Sequence, residues 1–277
     1  MPLVTLSEVL TEARARGGYA VGLVCLSWDD AEAFVAAGEL AGVPVILSAG
    51  PGARAHMPVP IWGAMFRHLA ERSAGPVVAH LDHGANFAEC RAALDAGFSS
   101  VMYDGSALPL AENLDVTRQV VRAARMVGAS VEAEVGIVGY ADGSGSTGTN
   151  PADAAAMASL DIDALAVSLG NVHLQDKPGA QIDWDLAQKL ADAARMPLVI
   201  HGGSGVASPD RVRLAEEFGV AKINIGTEMR QAYGRHLRAT LRDAPELYDR
   251  LAIARAVRPG LIAETARLLS EGWRSAR

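Results

Sequence analysis

The feature that most limits how this chain can fold is an eightfold alternation of short apolar runs with longer helical segments. The runs are "YAVGLVCL" (19–26), "VPVILSAG" (43–50), "PVVAHLD" (76–82), "SSVMYD" (99–104), "ASVEAEV" (129–135), "DALAVSL" (163–169), "PLVIHG" (197–202) and "AKINIG" (221–226). A helical pattern follows each, as at 86–97, 150–160, 183–194 and 208–219, with Asn, Asp or Ser at the starts and Gly at several ends. Successive β-then-α units imply parallel strands joined by right-handed crossovers. An extra helix opens the chain: Thr5 and Glu8 have the spacing of a capping box, and Gly17-Gly18 marks its end. The expected fold is therefore α/β, a (β/α)8 TIM barrel with an N-terminal capping helix, as one domain over residues 1–277. A doubly wound sheet is the runner-up, weakened by the lack of G-x-G-x-x-G after the first run.

Composition narrows the function. Half of the 277 residues are apolar and only 5% aromatic, so the core is expected to be Ala, Val, Leu and Ile. The formal charge of −7 argues against a nucleic-acid partner, which would need a basic stripe. The arginines near the C-terminus read as a solvated helical face. Cys25 and Cys90 have no zinc or redox spacing and read as free thiols in a reducing compartment. The opening "MPLVTLSEVL" lacks a signal-peptide pattern, and no run is long enough to span a membrane. A cytoplasmic protein without a membrane partner is expected.

Catalytic groups of a barrel gather at the C-terminal ends of its strands. By that rule His83, His173 and His201 reach one rim, following the third, sixth and seventh runs. His56, His68 and His236 fall in loops or helices. His80 lies within the third run and is assigned a structural hydrogen bond. Three imidazoles with an open position describe a catalytic Zn2+ site; the alternative is three unrelated polar rim residues. Asp82 precedes His83, so strand alternation sends their side chains in opposite directions. Asp82 is then either a support for the site or a general acid beside the substrate. Glu132 and Glu134 share one strand face, with Asp104 next in barrel order. Together they offer a second cation position, for a monovalent ion or a second divalent metal; the alternative is a salt-bridge network with a buried Lys or Arg. "HGGSGV" (201–206) and "NIGTEMR" (224–230) have the glycines and following helices of a phosphate site, or of ordinary turns. The loops 139–151 and 170–182 are long enough to be mobile and functional, and the second carries Lys177.

Taken together and in order, "HLDHG", "VMYDGS", "SVEAEVG", "GNVH…KPG", "HGGSGV" and "KINIGTEMR" resemble the class II, zinc-dependent ketose-bisphosphate aldolases of the fructose/tagatose-bisphosphate type, over roughly residues 1–240. The resemblance implies that His83, His173 and His201 hold zinc, with Glu134 and Asp104 as alternate or second-metal ligands. It implies that Asp82 exchanges the proton with the aldehyde oxygen. Gly202, Gly203, Ser204, Asn224, Gly226 and Thr227 would cradle the phosphate, and Lys177 matches a lysine of the family's mobile loop. The implied reaction joins dihydroxyacetone phosphate to an aldehyde through a metal-stabilised enediolate, or reverses that step on a phosphorylated sugar. A homodimer or homotetramer is also implied.

Three positions depart from the family pattern. Asp142 stands where the loop after the fifth strand usually carries a glutamate base, one methylene shorter. Cys25 replaces an asparagine on the first strand. Leu174 replaces the glycine after the second zinc histidine, and a leucine is not expected to adopt the same backbone angles. Two other readings are a non-catalytic barrel subunit supporting a partner aldolase, and a zinc hydrolase on the same fold. The three histidines and Asp82 argue against the first. The lack of H-x-H on the first strand and the two phosphate-type segments argue against the second.

Overall fold

The computed structural model describes residues 3–139 and 145–274. The chain runs α1 (Leu6–Ala15), β1 (Ala20–Val24), α2 (Trp28–Ala41), β2 (Val45–Ala49), α3 (Pro51–His56), α4 (Val59–Arg72), β3 (Val77–Gly84), α5 (Phe87–Asp95), β4 (Ser100–Tyr103) and α6 (Leu110–Arg125). It continues through β5 (Ser130–Val135), α7 (Pro151–Ala158), β6 (Ala164–Val167), α8 (Trp184–Ala194), β7 (Leu198–Ile200), α9 (Ser208–Phe218), β8 (Val220–Ile225), α10 (Thr227–Asp243) and α11 (Arg250–Gly272). All eight expected strands form. They pair in parallel in sequence order, and β8 closes onto β1. The fold is thus the expected (β/α)8 barrel rather than an open sheet.

Two packed regions hold it. The larger lies between the sheet and the surrounding helices, where one face of each strand meets residues such as Phe34, Trp62 and Leu190. The smaller fills the lower barrel interior with Ala20, Ile46, Val78, Ala164 and Val199, beneath which α1 inserts Leu6, Val9 and Leu10. The Thr5–Glu8 capping box forms as expected. The amide of Ser7 also donates to Ser130 Oγ at 3.0 Å, tying this helix to the start of β5. The strand starts are therefore plugged, and the opposite rim is left for chemistry. Among the described residues no helix is long and apolar enough to cross a membrane.

Candidate active site

The rim is organised by the end of β3. Pairing of β3 with β4 shifts register between Leu81 and Gly84, and His83 has φ +52°. That left-handed residue breaks strand alternation. Asp82 and His83, expected to diverge, both line the mouth of the barrel. A non-glycine residue in this conformation costs about 1–3 kcal/mol and needs its surroundings to hold it. Arg54, on α3, supplies the hold. Its guanidinium donates to the carbonyls of Ala49, Asp82 and His83 at 2.5, 2.6 and 2.8 Å, and to Glu89 Oε1 at 2.8 Å. No sequence signal marked Arg54.

The three rim histidines come together. Ring centroids lie 4.5 Å apart for His83–His201, 5.1 Å for His83–His173 and 5.8 Å for His173–His201. One nitrogen from each falls within 4.8 Å of the other two. His83 Nδ1 sits 2.7 Å from Asp104 Oδ2 and 3.6 Å from Glu134 Oε2, while its Nε2 is buried with no hydrogen-bond partner. Ser106 donates to Asp104 Oδ1 through its amide and hydroxyl. The carbonyl of His201 accepts from Asn171 of the "GNVH" segment at 2.9 Å. A divalent cation fits this donor set: three imidazoles, one with an orphaned inward nitrogen, and an open side facing the clefts. His83, Asp104 and Glu134 form a second group with the right spacing.

Charge and burial divide the groups. Burial holds His201 well below the ordinary imidazole range and lowers His173 to about 4. Burial opposes the charge on His83 as well, but Asp82, Asp104 and Glu134 outweigh it and raise His83 to about 10. Glu134 is pushed up to about 8, chiefly by burial and then by Asp104 and Glu132. Burial works against the charge on Asp82, yet the nearby His83, His201 and Lys222 keep it below the usual carboxylate range. Asn224 Nδ2 donates to Asp82 Oδ1 at 3.0 Å; Oδ2 lies beside Gly50, where an added Cβ would come within 3.3 Å.

The two carboxylates of β5 have different fates. Glu134 stays at the rim with His83 and Asp104. Glu132 points into the barrel, where Lys222 Nζ donates to it at 2.7 Å, so the salt-bridge alternative applies to Glu132 alone. His80 makes its expected structural bond, 2.9 Å from Ser100 Oγ.

Two clefts meet at the rim. The smaller, about 390 Å³, is lined by Gly202, Ser204, Asn224, Gly226 and Thr227. The larger, about 1230 Å³, extends past Gly50, Ala53, His83, Asp104 and Ser106. Asp82, His173, Leu174 and Arg230 border both. Gly202 has φ +63°, and a Cβ there would meet the carbonyl of Val172; one on Gly203 would meet Ile223 and the carbonyl of Asn224. These glycines are therefore required sterically, beyond ordinary turn preference. Ser204 Oγ accepts from the amide of Glu228, joining this turn to the N-terminus of α10.

Three sequence expectations fare differently here. Leu174 does adopt left-handed angles, with φ +58°, and its side chain stays more than half exposed at the rim. Lys177 is exposed and lines neither cleft, because its loop is tied to the carbonyl of Gly205 by the amides of Gly179 and Ala180. Asp142 lies outside the described residues. Arg230 also stands at the rim, about one helical turn after Gly226 and Thr227 in "NIGTEMR".

Comparison with known proteins agrees with this geometry. The family model for class-II fructose-bisphosphate aldolase matches residues 4–272. A fructose-bisphosphate aldolase of Geobacillus stearothermophilus is 38% identical over 266 residues, spanning 90% of this chain and 89% of that protein. One from Staphylococcus aureus is 36% identical over 264 residues and spans 90% of each. The YdjI aldolase from Escherichia coli K12 has a similar structure, with a TM-score of 0.85 at 27% identity, covering 99% of this chain and 100% of that one. The chain belongs to the class-II fructose-bisphosphate aldolase family and is an aldolase, a carbon–carbon lyase on a parallel barrel.

Proposed function

We propose that the protein is a zinc aldolase that cleaves a ketose phosphate or bisphosphate to dihydroxyacetone phosphate and an aldehyde. The observation that carries this reading is the convergence of His83, His173 and His201 beside two clefts, with His83 Nε2 buried and unpartnered. These three residues would hold the zinc. Bound there, it supplies Lewis acidity toward the substrate's carbonyl and hydroxyl oxygens.

The protein's own groups account for the rest. The smaller cleft takes the phosphate, with the turn at 202–204 and the N-terminus of α10 presenting amides toward it. Arg230 adds a guanidinium on its border. Asp82 is an ionised carboxylate at rest, so in the cleavage direction it takes the proton from the hydroxyl beside the breaking bond. In the synthetic direction it returns that proton to the aldehyde oxygen. Asn224 orients it by holding Oδ1 and leaving Oδ2 toward the larger cleft. Asp104 and Glu134 steer His83 and offer an alternate cation position.

The test is retro-aldol cleavage of a panel of ketose phosphates, coupled to detection of dihydroxyacetone phosphate, with zinc, after chelation, and in His201→Ala. Zinc-dependent release that the variant loses is expected. Release that survives chelation would overturn the metal reading.

A further inference from the structure

Below the rim, His201 continues into a chain of buried polar side chains, Glu132, Lys222, His80 and Ser100, that the reaction as proposed does not use. Ser100, His80, Lys222 and Glu132 are fully buried, and His201 is nearly so. Lys222 Nζ lies 3.1 Å from His80 Nε2 and 2.7 Å from Glu132 Oε2. His201 Nε2 lies 3.0 Å from Glu132 Oε1. Donor and acceptor roles follow from the ends. The lysine can only donate, so His80 Nε2 accepts and its Nδ1 donates to Ser100. The carboxylate of the Lys222–Glu132 pair accepts on both oxygens, so His201 must present N–H at Nε2. His201 Nδ1 then carries the lone pair. It is on the side of the rim, 3.3 Å from Asn224 Nδ2 and 3.9 Å from Asp82 Oδ1.

This arrangement is expensive to build. Barrel interiors are normally filled by branched apolar side chains, and a buried ion pair is often no better for stability than apolar residues of similar size. Here the neighbouring strands give up volume to admit it. A Cβ on Gly22 of β1 would collide with Asn224 and sit 3.0 Å from Lys222 Cε, and β6 contributes only Ala164 and Ala166 to the interior. Stability alone does not account for a lysine in this place.

We propose that the buried Lys222–Glu132 pair is a positioning device for the metal centre, fixing His201 in the tautomer that keeps Nδ1 as its ligand atom. The inference rests on the zinc reading above. Partners that orient a ligating histidine are typically worth about 10–100-fold in metal affinity.

The experiment compares zinc affinity and thermal stability of the full chain with those of a Lys222→Met, Glu132→Leu double variant, using a competing chelator dye. The expected result is zinc binding weakened about 10–100-fold with little change in Tm. Parental affinity in the folded double variant would overturn the proposal. A parental chain that binds no zinc would instead remove the metal reading itself. Should the double variant fail to fold, nitrogen NMR on the parental metal-free protein decides. The His201 signals, assigned by their loss in His201→Gln, should show Nε2 protonated and Nδ1 bare. A proton on Nδ1 would overturn the assignment.

Discussion

Arg54 Nη1 donates to the carbonyl of Asp82 at 2.6 Å, and that bond helps to set the direction in which two site residues point. The same guanidinium holds His83 and Ala49, so the strained end of β3 is anchored to α3 and to the end of β2. Arg54→Lys keeps the charge but cannot span these acceptors. It should fold with a loss of about 2–4 kcal/mol in urea unfolding. It should also lose far more in kcat than in KM, since a displacement of about 1 Å at reacting groups can cost about 100-fold.

Leu174 bears a left-handed backbone with an exposed apolar side chain. Replacement by glycine removes the steric strain and little buried surface. Leu174→Gly should therefore be as stable as the parent or more so, by up to about 1–2 kcal/mol, while KM changes because the side chain borders both clefts. A clear fall in Tm would show that the leucine is structural.

Arg230 borders both clefts from an exposed position on α10. Arg230→Met should leave Tm near that of the parent. KM for a phosphorylated ketose should rise about 10–100-fold, the equivalent of one lost charge-assisted hydrogen bond. An unchanged KM would remove Arg230 from substrate binding.

Both cysteines are buried. Burial raises the Cys25 thiol well above its usual range and pushes Cys90 up to about 12. Neither should react with a thiol reagent at pH 8 until the chain unfolds. The linkage has a definite sign. The folded chain keeps a proton on Cys90 that the unfolded chain releases near 9.0, so this contribution is complete below pH 9 and is lost as pH rises toward 12. Its full loss amounts to about 4 kcal/mol. Urea midpoints should therefore fall steadily from pH 9 upward.

The barrel was legible because each strand and helix writes its own period into the chain. The eight runs and the capping box needed only local residues. The site was legible as far as strand ends could be counted, which brought His83, His173 and His201 to one rim. What the chain does not spell out needs a backbone angle or a distant partner. Alternation placed Asp82 and His83 on opposite faces because it assumes extended angles, and His83 has left them. Glu132 and Glu134 look alike in "VEAEV", but only the structure shows that Lys222, from β8, meets the first and not the second. Arg54 acts through main-chain carbonyls, which leave no residue pattern to read. Lys177 sits in a loop whose direction is set by Gly205, outside its own segment.

The most direct test of the central claim is an anomalous difference map from crystals of the zinc-loaded protein. The account predicts a peak with one nitrogen of each of His83, His173 and His201 at about 2.0–2.1 Å. No peak at the three histidines, or one held only by Asp104 and Glu134, would contradict it.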